Sequence, residues 1–145
     1  MAIDQAVCNS FKKELLEGIH DFESGGDTFK LALYEDTANL SAATTAYPGD
    51  STGDQVSDTG QYAQGGGTLQ SQQTSLDTGV AIVTFANLSF TGVTLTAEGA
   101  LIYNATESNK AVAVLDFGGN KTATAGTFTI QFPAFTSTAA ILRIS

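Results

Sequence analysis

The chain has no tryptophan, one histidine, one cysteine, two prolines and six basic residues in 145 positions, and each shortage closes off a class of function. His20 alone cannot supply a histidine-based catalytic triad or a multi-histidine metal centre. Cys8 alone excludes an intramolecular disulfide framework, and no arrangement of partners marks it as a nucleophile. Fifteen acidic residues against six basic ones give a net charge of -9. Neutralising phosphates takes clustered lysines and arginines, so nucleic acid is not an expected partner, and the same deficit argues against an anionic membrane surface. No apolar run approaches the ~18 residues of a membrane helix; Asp116 interrupts the best candidate. The first ten residues carry neither the basic start nor the apolar middle of a secretion signal, so the chain is expected to fold where it is made.

Charge is scarce in total as well as in sign. Only 14% of residues are charged while 42% are hydrophobic, a low charge density for a free monomer whose surface must keep it dispersed. Partners are therefore expected to cover much of that surface. The length suits one domain, residues 1–145, with a core of its own.

The stretch from Val93 to Phe117 organises the chain. Val93 and Leu95 alternate with threonines, whereas Ala100–Tyr103 and Ala111–Leu115 are continuously apolar, the pattern of strands covered on both faces. The hairpin from Leu101 to Phe117, turning through Asn104–Asn109, is predicted to lie centrally in its sheet. Upstream, Phe11, Leu15, Ile19 and Phe22 form one stripe of a helix over about 10–22, with Asn9 or Ser10 as cap and Gly18 followed by Ser24–Asp27 as stop signals. That stripe must dock on an open end of the β structure or on a neighbouring subunit. Thr28–Glu35 alternates as a half-wet strand. Residues 36–67, rich in Ala, Thr, Ser, Gly and Asp, read as a long loop arm, mobile in isolation, with Tyr47, Val56 and Tyr62 as its large anchors. Thr68–Leu76 suits an edge strand, and Val80–Phe85, Thr127–Phe132 and Ala139–Ile144 read as further strands, with turns at Gly118–Lys121 and Ala125-Gly126. Eight or nine strands, one short N-terminal helix and no βαβ alternation predict a mainly β fold, an antiparallel β-sandwich or jelly-roll-like domain.

Motifs for chemistry are weak. Asp50, Asp54 and Asp58 recur every four residues but lack the dense alternation and closing glutamate of a calcium loop, so no metal is expected. Gly118-Gly-Asn-Lys-Thr122 lacks the spacing of a phosphate loop. Glu98 and Glu107 could be imagined as a glycosidase pair, but no tryptophan is present to stack on a sugar. The residues indicate no catalytic site, no enzyme and no cofactor.

The strings FKKELLEGIHDF, DTFKLALY, TGQYAQGGGTL, GALIYNATESNKAVAVLDFGGNK and TFTIQFP, spanning Phe11 to Pro133, resemble a family of small virion structural proteins of tailed bacteriophages, of the capsid cement or decoration type. The resemblance implies a β-rich, jelly-roll-like module that is made in the host cytoplasm and binds the outside of an icosahedral shell as a dimer or trimer. Its partners would then be the major capsid protein and copies of itself. The alternatives are a head-fibre or tail component, or a β-sandwich module that binds host surface carbohydrate. Candidate protein-interface residues are Phe11 and Leu15 on the helix and Tyr47, Val56 and Tyr62 in the long loop.

Overall fold

A computed structural model describes residues 3–48 and 54–145. The elements in chain order are β1 (Ala6–Val7), α1 (Asn9–Leu16), β2 (Phe29–Tyr34), β3 (Gly67–Thr68), β4 (Gln73–Asp77), β5 (Val80–Thr84), β6 (Leu88–Asn104), β7 (Lys110–Ile130) and β8 (Leu142–Ile144). They form a five-stranded sheet, ordered β1-β7-β6-β2-β3, and a three-stranded sheet, ordered β4-β5-β8; every ladder is antiparallel. The fold is mainly β, two sheets and one short helix, as in a β-sandwich.

The continuously apolar runs sit where such runs must, in the middle of the larger sheet. Ala100–Tyr103 on β6 and Ala111–Val114 on β7 are buried at every position, flanked by β2 on one side and β1 on the other. The two strands are far longer than the expected hairpin. Gly118–Lys121 and Ala125-Gly126 do not reverse the chain; they are irregularities inside the 21-residue β7. Between Gly99↔Asp116 and Ala97↔Lys121, β7 advances five residues while β6 advances two, and the surplus bulges out at Gly118 and Gly119, both at positive φ. A glycine at positive φ signals a bulge as readily as a turn. Here the ladder resumes because β6 still offers alternating Val93 and Leu95, both buried, on the far side.

β2 is not half-wet. Its residues from Leu31 to Tyr34 are fully buried, because the strand lies between β6 and a second layer of pairing made by β3 and by the long loop. Val56 N–H donates to Leu33 O at 3.0 Å and Glu35 N–H to Asp54 O at 2.9 Å, which extends the cover to the strand's end.

The helix is shorter than its apolar period. It stops at Leu16, and Gly18, at φ +72°, lets the Gly18 N–H reach Leu15 O and the Ile19 N–H reach Glu14 O at 3.1 Å, a Schellman arrangement. Phe22 still enters the core, but from the following loop, where its ring stacks on Phe29 with centroids 4.3 Å apart. Cys8, not Asn9 or Ser10, is the N-cap residue, and it makes no side-chain cap. The helix start is held instead by backbone bonds, Cys8 N–H to Val112 O and Asn9 N–H to Ala42 O. Ser10 Oγ is buried without a partner among the described residues.

Candidate functional site

Two of the buried polar side chains among the described residues, His20 and Asn104, meet in one cluster. The His20 side chain is fully buried, with Nε2 2.9 Å from Glu14 Oε1 and Nδ1 3.0 Å from Asn104 Nδ2. The orientation of Asn104 is fixed, because its Oδ1 accepts the N–H groups of Thr106 and Glu107 while Nδ2 also donates to Asp27 Oδ2 at 2.8 Å. An amide N–H aimed at Nδ1 needs a lone pair there, so the ring hydrogen sits on Nε2 and goes to Glu14. Lys110 Nζ lies 3.7 Å from the other Glu14 oxygen. The cluster ties α1, the loop after it and the β6–β7 turn together; with His20 sealed from solvent it has the character of a structural joint.

The long loop is present, but its described residues are packed rather than free. Ala38, Leu40, Val56 and Tyr62 are all buried. Leu33 N–H donates to the Tyr62 hydroxyl at 2.8 Å, Gln55 Nε2 donates to the Tyr47 hydroxyl at 2.8 Å, and Gln55 Oε1 accepts from Gly65 N–H at 2.6 Å. Tyr47 stacks on Tyr103 at 4.4 Å, and Tyr103 donates to Gly65 O at 2.6 Å. Burial, then the neighbouring Tyr47, pushes the Tyr103 hydroxyl up to about 12, and burial raises Tyr34 and Tyr62 further still. Three of the expected interface residues, Phe11, Val56 and Tyr62, therefore belong to the chain's own core, and Tyr47 is half-buried against Tyr103. A loop poor in apolar residues orders here because nearly all of its few large side chains go inward.

Of the expected anchors on the helix, Leu15 is the more exposed. It lines a cleft of about 450 Å³ between α1 and the three-stranded sheet, with Val7, Phe11, Phe22 and Leu142 as apolar lining and Lys12 as the one charged residue. Around this cleft stand the most exposed large hydrophobic residues among those described. Leu16 is 92% exposed and Ile144 57%, both on the cleft lining; Leu76, 73% exposed, shares the Leu76↔Ala81↔Ile144 row across the small sheet. Residues directly paired across strands share a face, so the row carries the apolar surface from the cleft to the edge strand β4. Leu16 falls outside the stripe read from the sequence; the signal that could have found it is the early stop at Gly18, which ends the helix before further turns could cover it.

Carboxylates are put to local use. Asp54 Oδ1 accepts from Thr37 Oγ1 at 2.7 Å and Asp58 Oδ1 from Gln64 N–H at 2.8 Å, closing turns of the loop; Asp50 lies outside the described residues. Glu98 sits on β6 and Glu107 in the turn beyond it, and the strand from Glu98 to Asn104 alone spans about 20 Å, too far for a glycosidase pair. Burial, then Glu14, pushes the Cys8 thiol up to about 11, which disfavours the reactive thiolate. A second cleft, of about 820 Å³, runs between β7 and the segment before β8, where Phe117, Phe128 and Phe132 adjoin Asp116, Lys121 and Arg143. Comparison with protein-family models, with curated proteins and with solved structures finds no match.

Proposed function

We propose that this protein is a structural subunit of a tailed-phage virion that binds the outer face of the capsid and stabilises contacts between capsomers, using the apolar cleft between α1 and the small sheet as its docking surface. The observation that carries the reading is the grouping of Leu16, Leu76 and Ile144, exposed around one apolar cleft on a chain with few charges. A monomer scatters single apolar residues over its surface, whereas a contiguous patch marks a surface that another protein covers. The resemblance of Phe11–Pro133 to phage cement proteins supplies the kind of partner.

The test is co-sedimentation of purified protein with shells assembled from the major capsid protein of the same virion, with negative-stain imaging of the decorated particles. Leu16→Glu and Ile144→Glu, both at exposed positions, are expected to weaken attachment roughly tenfold or more, since burying one such side chain contributes about 1.5–3 kcal/mol. Failure to bind shells, with the protein found in tail fractions of virions, would sink the reading. The cleft lined by Phe117, Phe128 and Phe132 beside Asp116, Lys121 and Arg143 favours a second reading, a module for host carbohydrate, because a sugar takes aromatic faces with flanking hydrogen-bonding groups. Glycan-array binding lost in Phe117→Ala would select it.

A further inference from the structure

Edge strands invite pairing, and proteins guard them with lysine, proline, bulges or brevity. Among the described residues, three of the four edge strands are brief, with two residues in β1 and β3 and three in β8. The fourth, β4, is five residues long, holds an unbroken register with β5 from Gln73↔Thr84 to Asp77↔Val80, and contains neither lysine nor proline. Gln73 to Leu76 are exposed, and Leu76 adds an apolar side chain to the open edge. On a chain of net charge -9, the only charge on this strand is Asp77, and it is partly occupied, accepting the Ser137 N–H at 2.7 Å.

We propose that β4 pairs with β4 of a second copy, in antiparallel register about a two-fold axis at Ser75. The hairpin decides which backbone groups are available. Thr78 and Gly79, both at positive φ, form a two-residue turn that makes Asp77↔Val80 a hydrogen-bonded pair. Alternation along the ladder then points the N–H and C=O of Thr74 and Leu76 outward. Pairing Thr74 with Leu76 of the second copy, and Leu76 with its Thr74, satisfies both outward sets at once; a shift to either side loses one of them. The same register sets Gln73 opposite the second copy's Asp77, an amide against a carboxylate, and keeps the two Asp77 side chains about 14 Å apart along the strands, beyond the ~8 Å screening length. Leu76 of the second copy then extends the Thr74↔Val83↔Leu142 row, so the two small sheets join into one six-stranded sheet with a continuous apolar face. The pairing rests on the assembly reading only for its purpose, to present two docking clefts about one axis.

The test is a concentration series by analytical ultracentrifugation, with the melting temperature as a check on folding. A monomer–dimer equilibrium is expected. Thr74→Pro, which removes an outward N–H, and Leu76→Lys, which guards the edge, should each raise the dimer dissociation constant roughly tenfold or more while leaving the melting temperature within a few degrees. Ser75→Cys should cross-link to itself on mild oxidation, since residues facing each other in a non-hydrogen-bonded pair have Cα atoms about 4.5 Å apart, within disulfide reach. Thr127→Cys, exposed on β7, should not cross-link, and buried Cys8 should not interfere. A monomer at every concentration, or a dimer that ignores both edge substitutions and gives no Ser75→Cys cross-link, overturns the proposal. A monomer whose Thr74→Pro variant loses shell binding also overturns it and assigns the edge to a strand of the shell protein, Leu76→Lys being left out of this comparison because Leu76 belongs to the docking patch itself. Dimers that form but never bind shells leave the pairing standing and remove the assembly reading instead.

Discussion

Asn104 does the most structural work of any single side chain in the polar joint. It sits at the end of β6, and its two ends serve four partners, with Oδ1 bonded to Thr106 and Glu107 N–H and Nδ2 to His20 and Asp27. Truncation strands these groups where water cannot reach His20, and each unsatisfied buried group costs about 1–3 kcal/mol. Asn104→Ala should therefore lose roughly 2–4 kcal/mol in urea denaturation. Asn104→Asp should also destabilise: it keeps acceptors for the turn but sets a carboxylate against Asp27 and the lone pair of His20. Wild-type stability in both variants would show that the joint contributes nothing.

At the scale of elements, the long loop behaves as part of the sheet. It backs β2 through Gln55 and Val56 and lies along the start of β7, where Tyr47 N–H donates to Asn109 O at 2.8 Å and Ala111 N–H to Thr45 O at 3.0 Å. Deleting Ala42–Asp58 should accordingly abolish the cooperative melt, since it strips cover from a fully buried strand. Gly66→Ala gives a finer probe. A Cβ there would stand 1.7 Å from Leu31 O, at a backbone φ of +81° that L side chains rarely adopt. Calorimetry should show a large loss of melting temperature for Gly66→Ala and a smaller one for Gly79→Ser, which meets the same backbone strain at φ +84° but open space around its Cβ in an exposed turn. A deletion variant that melts cooperatively at the wild-type temperature would make the loop a mere appendage.

For the whole molecule, the buried hydroxyls and thiol set an alkaline limit. Cys8 is raised from 9.0 to about 11 and Tyr103 from 10.0 to about 12, with Tyr34 and Tyr62 raised further, in each case chiefly by burial. These groups hold their protons in the folded chain at pH values where the unfolded chain releases them, so the unfolded state binds fewer protons and stability falls as pH rises. The contribution is complete below about pH 9 and is lost progressively as pH rises through 11 and 12. Melting temperatures measured from pH 8 to 12 should decline over this window, and Cys8→Ala should flatten its lower part. An unchanged melting temperature up to pH 12 would mean that these groups are open to solvent in the folded state.

Period and composition were enough to place the centre of the fold. A continuously apolar strand has no wet face to offer, so Ala100–Tyr103 and Ala111–Val114 had to lie inside a sheet; the polar stretch Thr68–Leu76, read as one edge strand, divides instead between two edges, Thr68 in β3 and Gln73–Leu76 in β4. Gly18 marked a stop that the apolar stripe overran, because Phe22 shares the helical period by position while reaching the core from a loop. What sequence left open was every feature set by distant partners. Glycines in β7 bend a strand or end it according to whether another strand remains alongside, and β6 remains. Tyr62 and Val56 dock outward or inward according to whether β2 leaves an edge that no other strand pairs, and beyond Leu31 it leaves one for the loop to cover. Leu16, Leu76 and Ile144 lie far apart in the chain and make one surface only after α1 packs over the small sheet, since an apolar patch is a property of juxtaposed elements and no local pattern encodes it.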